Sequence, residues 1–375
     1  MKHKLLKTCL TCVLCVVSLG LTAAVALWGM DHVGLPAEGT GGKFFKAAMM
    51  DTYERYMTNQ ISGAMDGIMN IEKVYWLNDS DLIAPEPDPE KFGTTTDLAQ
   101  VQAVVDAAAD LLNGQETLFH PDITLYPGSE VTYYLDETIL CITWRELIDN
   151  IVYTFSEVKI AHPSQFRRFL ADGTYGSDKQ YYCTQMAATV NAVTASNADF
   201  YKHRPYGVVV YNGEVYRSND KVDTCFIDDQ GELIMVPRNQ LQTQEAVEAF
   251  VEENNIRFSL GFGPIMVEDG KNVVPEKYPV GQINEIYSRA GLGYLGQLHY
   301  ILVTAGFGEN HQRMSTMRDF ADNMIEFGCT KAYALDGGQT GTIVTDDRLI
   351  NRPDYGTQRT VSDIIYFATA VPDRE

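Results

Sequence analysis

The order of apolar and polar positions divides the chain into three stretches with different patterns. An uncharged run, "TCLTCVLCVVSLGLTAAVALW", extends from Thr8 to Trp28. About 20 apolar residues in a helix cross a bilayer. Lys2, Lys4 and Lys7 precede the run and Asp31 is the first charge after it. Positive-inside bias then places the N-terminus in the cytosol and the remainder outside. The small residues of "TAAVA" leave a cleaved signal peptide as the rival reading. The length of the run favours an uncleaved anchor.

In the second stretch, Phe45, Met49, Tyr53, Tyr56 and Met57 recur near helical spacing and predict a juxtamembrane helix. "DSDLIAPEPDPEKFGTTTD" is acidic and proline-rich, which predicts irregular chain. "DLAQVQAVVDAAADLLNG" predicts a helix stopped by Gly114. From Ile151 the period shortens. "YGVVVYNGEVYR" reads as two strands around Asn212-Gly213, and "DTCFIDDQGELIMVP" repeats the device around Gly231. "TQEAVEAFVEEN" predicts a helix capped by Thr243, and "STMRDFADNMIEFG" one capped by Thr316 and Asp319 and ended by Gly328. "LGYLGQLHYILVTAG" predicts a strand pair, and "KAYAL" and "GTIVT" two further strands. The division expected is 1–30 basic tail and transmembrane anchor, 31–150 helical juxtamembrane region, and 151–375 a mixed, sheet-rich α+β domain with a few helices.

Composition narrows the chemistry. The formal charge of the 375-residue chain is -21. Nucleic acid is therefore not an expected partner, because phosphate neutralisation needs a basic face. A hydrophobic content of 45% is that of a packed protein. Of seven cysteines, Cys9, Cys12 and Cys15 lie in the apolar run. They read as small hydrophobes, with acylation of Cys9 as the alternative. Cys141, Cys183, Cys225 and Cys329 allow up to two disulfides or buried free thiols. No exported CxxC, HExxH, Walker A, GxSxG or strand-linked GxGxxG occurs. No metal site or cofactor is predicted, although carboxylates here are compatible with a divalent cation.

Three segments carry polar groups beyond what turns require. In Asn197-Ala198-Asp199-Phe200 the amide and carboxylate either cap a turn or enter a cleft, with His203 just beyond. Arg289 precedes Gly291 and Gly293 and reads either as a surface arginine or as a fork for phosphate. Asp336 ends an apolar strand and is followed by Gly337, Gly338, Gln339 and Thr340. Adjacent glycines there let backbone N–H groups face a ligand.

Taken in order, these segments resemble the phosphodiester glycosidase family. The Asn-x-x-Phe segment leads to a Gly and the Asn-Gly hairpin, and Arg289 stands four positions before Gly293. A helix and strand close in Leu335-Asp336-Gly337-Gly338, followed by a hydroxyl residue, a strand and the turn Asn351-Arg352-Pro353. The match runs from about Phe155 to the C-terminus. Gln339 and Thr340 stand where the family usually has glycine and serine, and "VTAGFGEN" lacks the family's Asp. The resemblance implies hydrolysis of a sugar-1-phosphodiester, or of a polysaccharide carrying one, by a protein of the cell membrane. It implies Asp336, Asp199 and Glu157 as candidate catalytic carboxylates. Arg289, Asn197, Gly337, Gly338, Gln339, Thr340 and His203 become candidate substrate or phosphate ligands. A non-catalytic glycan-binding or exopolysaccharide-assembly protein, and a phosphodiesterase cutting P–O, are the competing readings.

Overall fold

The computed structural model describes residues 76–78, 81–306 and 315–372. The Thr8–Trp28 run and the helix expected around Phe45 lie outside them. Among the described residues no helix is long and apolar enough to cross a membrane. The chain divides into two units, Met1–Val74 and Tyr75–Glu375, and only the second is described.

That unit is α+β, and every described strand ladder is antiparallel rather than mixed. Its spine is a nine-stranded sheet in the order Phe92–Thr95, Val131–Leu135, Ile139–Ile148, Ile151–Ile160, His299–Gly306, Arg289–Gly296, Lys331–Leu335, Ile265–Glu268, Lys271–Asn272. A five-stranded sheet runs Arg348–Leu349, Ile343–Thr345, Thr194–Asn197, Asp363–Phe367, Phe166–Leu170. Leu233–Val236, Thr224–Asp228 and Ile256–Leu260 form a three-stranded sheet, and Gly207–Tyr211 pairs with Glu214–Asn219.

Strand alternation sorts the spine's side chains onto two faces. Phe155, Ile301, Val303, Ala332 and Ala334 pack with Val101, Val105, Phe320 and Met324 of the helices Leu98–Ala107 and Met317–Glu326. On the other face Val158, Tyr300, Leu302, Tyr333 and Leu335 meet Phe258, Phe166, Ile343 and Phe367 of the smaller sheets. With both faces covered, all ten residues of Ile151–Ile160 are buried. Gly293 makes the helix face possible: a Cβ there would sit 2.4 Å from the Cys329 sulfur and 2.8 Å from Ile301.

The capped helices follow the sequence closely. Thr316 accepts from the Asp319 amide at 3.1 Å, Thr243 caps Gln244–Glu253, and Gly328 takes φ 81° to stop the Met317–Glu326 helix. Asn212 (φ 50°) and Gly213 (φ 77°) form the hairpin turn their identities require. The expected helix before Gly114 forms as Leu98–Ala107 and Ala109–Leu112, with Asp97 as its N-cap.

The boundary expected at residue 150 is corrected. Asp149 and Asn150, both at positive φ, are the turn of a hairpin that pairs Ile139–Ile148 with Ile151–Ile160 along its whole length. The strands Phe92–Thr95, Val131–Leu135 and Ile139–Ile148 therefore build one edge of the spine, with the helices between them packed on its face, instead of a separate helical region. The four described cysteines are buried free thiols.

Candidate active site

The Lys331–Leu335 strand delivers Asp336 to one end of the spine, where its amide donates to the Ala198 carbonyl at 3.4 Å. The next position must be glycine, because a Cβ on Gly337 would fall 2.4 Å from the Ser288 carbonyl oxygen. Gly338, at φ 63°, returns an amide to that same carbonyl at 3.0 Å and begins a helical turn to Thr340. The Thr340 hydroxyl closes the turn on the Gly337 carbonyl at 2.6 Å. Asn197 fastens both ends of the loop. Its side-chain amide donates to the Asp336 carbonyl at 2.6 Å and accepts from the Thr342 amide at 3.0 Å. Its amide nitrogen and oxygen both hold the loop and it is fully buried, so it shapes the loop from beneath.

Two arginines approach Asp336 from other segments. The Arg359 guanidinium lies 3.6 Å from Asp336 Oδ2 and 5.2 Å over the Phe200 ring. Arg204 sits 5.0 Å over Phe200 and 4.5 Å over Phe262. Asp336 Oδ2 and Arg204 Nη1 are both buried and lack a hydrogen-bond partner. Burial pushes the Asp336 carboxyl up to about 6. The Thr340 hydroxyl, Arg204 and Arg359 oppose the rise, and Asp199 adds to it. A carboxyl with that value exchanges protons near neutrality, as a general acid or base must.

Beneath lies a second cluster with a different character. Arg168, from the Phe166–Leu170 strand, binds Asp363 Oδ2 through Nε at 2.9 Å and Nη2 at 2.6 Å, and Asp199 Oδ2 at 3.4 Å. Its Nη1 donates to the Ser259 carbonyl. Burial alone would lower the arginine's pKa, but the two carboxylates outweigh it and the net direction is upward. Asp199 also accepts from the Phe200 amide at 2.6 Å and the Gly261 amide at 2.8 Å. Burial pushes Asp363 up to about 6 against the pull of Arg168. Asp199 is thus an ion-paired floor under the site, not a free base.

The remaining expected residues separate. Arg289 shares its face of the strand with Gly291, whose neighbours are Met266 and Phe320 of the helix side. Its guanidinium donates to the carbonyls of Ser315, Gly281, Gln282 and Glu285. With four of its five N–H groups on carbonyls the guanidinium clamps a loop, and no pair is left to fork onto phosphate. Glu157 also points to the helix side. It accepts from the Leu118 and Phe119 amides at 2.8 and 3.0 Å and pairs with His299 at 2.9 Å. The structure does not bring it to Asp336. His203 stays at the rim, exposed, 4.6 Å from the Phe200 ring and bonded to Gln180. It lines a groove of about 550 Å³ with Lys202, Arg204 and Tyr175. Gln339 reaches outward to the Thr357 hydroxyl at 3.2 Å. Among the described residues no group of three or more His, Cys, Asp or Glu is placed to hold a metal ion.

Arg359, Arg168 and Arg204 stand outside the residues that the sequence singles out. Two arginines inside the apolar run "FRRFL" were the available signal for a buried ion pair. Arg359 gave none, since it meets Asp336 only through the fold.

This order of elements around Leu335-Asp336-Gly337-Gly338 can be set against known proteins. Residues 188–368 match the phosphodiester glycosidase family. The match takes in Asn197, Asp199, Arg204, Arg289, Asp336 and Arg359, and leaves out Glu157. A SPbeta prophage-derived uncharacterized protein of Bacillus subtilis is 20% identical over 198 residues, 51% of this chain and 30% of that protein. The chain therefore spans under a third of that relative's length. Among solved structures, the catalytic domain of zebrafish N-acetylglucosamine-1-phosphodiester alpha-N-acetylglucosaminidase, auto-inhibited by its pro-peptide, superposes with TM-score 0.53 at 13% identity. That alignment covers 69% of this chain and 92% of that one. A hypothetical protein from Synechocystis gives TM-score 0.50 at 15% identity over 63% of each chain. At these identities the likeness is one of fold.

Proposed function

We propose that the domain hydrolyses the bond between a sugar's anomeric carbon and the oxygen of a phosphodiester, with Asp336 as general base. The observation that carries this reading is the Asp336 carboxyl, pushed up to about 6, whose Oδ2 pairs with Arg359 at 3.6 Å but accepts no hydrogen bond, with the Arg204 charge near enough to act on it. Water attacks the anomeric carbon and gives its proton to Asp336. The C–O bonding pair leaves with the phosphate, which departs as a phosphomonoester. A phosphate leaving group needs little protonation; what helps is positive charge near the oxygen that gains the electrons. Arg204 and Arg359 supply it locally, in a chain whose overall charge is -21.

The substrate class fits a protein acting on envelope or exopolysaccharide sugar phosphates. In that setting residues 8–28 anchor the chain in the bilayer, with the domain on the outer side. The test is release of reducing sugar from N-acetylglucosamine-1-phosphodiesters in heavy-oxygen water. Label in the sugar, abolished in Asp336→Asn, is the expected result. Label in the phosphate would assign P–O cleavage instead. Binding without release across the panel would favour a glycan-binding protein, the reading that Gln339 and Thr340 motivate.

A further inference from the structure

The loop that supplies Arg359 carries an aromatic residue that packing does not explain. Tyr355 is 90% exposed, far more than any other large hydrophobic side chain among the described residues. It also holds φ at 63°, a left-handed conformation that non-glycine residues avoid, with Gly356 beside it at 75°. Such outliers persist where surrounding contacts over-determine them, and they cluster at ligand clamps. The contacts are present on both sides. Before Tyr355, Asp354 accepts from the Ser288 hydroxyl, and its Oδ2 lies 3.6 Å from where a Cβ on Gly338 would be. After it, Thr357 accepts from the Gln339 side chain, and the Arg359 amide donates to the Gln339 carbonyl at 3.3 Å. Pro353 and a 2.9 Å bond from the Gly356 amide to its carbonyl fix the turn between. The loop is fastened along the Gly338–Thr340 turn, and its backbone holds the Tyr355 ring out to solvent.

We infer that Tyr355 is a specificity-determining residue, a platform that stacks on the apolar face of a pyranose ring of the substrate. A phenol ring offers a flat apolar face with a polar edge, which suits a sugar bearing C–H groups on one face and hydroxyls around its rim. Fixing the loop backbone in advance removes the ordering cost that a mobile loop would carry on binding. The assignment rests on the glycosidase reading, so its test includes a measurement that does not need turnover.

Tyr355→Asn keeps a residue that tolerates the left-handed backbone and removes the ring; Tyr355→Trp keeps a ring. With hydrolysis as readout, the Asn variant should raise KM about five- to tenfold with kcat nearly unchanged, and Trp should retain a low KM. Unchanged KM in Tyr355→Asn overturns the assignment, as does an equal rise in both variants. If the wild type releases no sugar, the glycosidase reading fails separately. Saturation-transfer NMR with a non-hydrolysable N-acetylglucosamine-1-phosphonate then decides: contact to aromatic protons that weakens in the Asn variant supports the platform. Binding equal in the two proteins, or absent from both, overturns it.

Discussion

Two carboxylate–arginine clusters lie one above the other in this fold, and they differ in how completely they are satisfied. In the lower, Arg168, Asp363 and Asp199 use nearly every donor and acceptor on one another and on the Phe200, Gly261 and Ser259 backbone. In the upper, Asp336 keeps an oxygen and Arg204 a nitrogen with no hydrogen bond, and the Arg359 guanidinium stands 3.6 Å from that oxygen. Buried polar groups left unmet cost free energy, so an incomplete set beside a complete one marks where the protein holds groups ready for something that arrives. The lower cluster is architecture, and the upper one chemistry.

The comparison can be broken most severely at Asp336. Asp336→Asn should lower kcat/KM by about 10³-fold, in the range lost when a general base is removed, with a circular dichroism spectrum like the wild type. A similar loss from Asp199→Asn without loss of stability would put the base in the lower cluster instead. Arg168→Leu should do the opposite. Stranding two buried carboxylates costs about 3–5 kcal/mol, to be read from urea unfolding. A third contrast separates the arginines. Arg359→Gln should raise KM for a phosphodiester about tenfold or more, as loss of a charge-assisted contact does. Arg289→Lys should leave KM near wild type and lower the urea midpoint, since its partners are four carbonyls. Equal KM effects at both positions would erase the distinction.

The smallest effect is in pH. Asp336 ionises near 6, so as a base it works above that value. The kcat/KM profile should fall as pH drops through about 6, and the limb should vanish in Asp336→Asn. For stability the sign is reversed. A carboxyl whose folded pKa is raised from 3.8 to about 6 binds more protons folded than unfolded between those values. Its ionisation therefore weakens the fold as pH rises through that window, and Asp363 adds the same sign. The thermal midpoint of Asp336→Asn should exceed that of the wild type at pH 7, with the gap closing by pH 4.

What the sequence disclosed follows from the range of the interactions involved. Asn212-Gly213, Thr316 with Asp319, and Gly328 act on neighbours a few positions away, and each was legible. The loop at Asp336 was legible as an excess of polarity around two glycines. Which face Arg289 or Glu157 presents depends on partners that the chain supplies elsewhere, Gly281 and Ser315 for one, Leu118 for the other. Spacing around either residue holds no trace of them. The strands between 92 and 148 were hidden differently: a helix at Leu98–Ala107 gave the whole segment a helical character, although Asp149-Asn150 was already a turn signal.

The four free thiols offer a view of how the molecule opens. Cys329 lies in the core under the helices, Cys141 and Cys225 in the core between sheets, and Cys183 in the first turn of the helix Cys183–Thr189, packed on the five-stranded sheet. Burial raises every one of them above an ordinary thiol, Cys141 to about 11 and Cys183 to about 12. Each is therefore silent toward an alkylating reagent until its own layer parts. The order in which mass spectrometry finds the four cysteines modified under mild denaturant would be a record, written by the protein itself, of which layer lets go first.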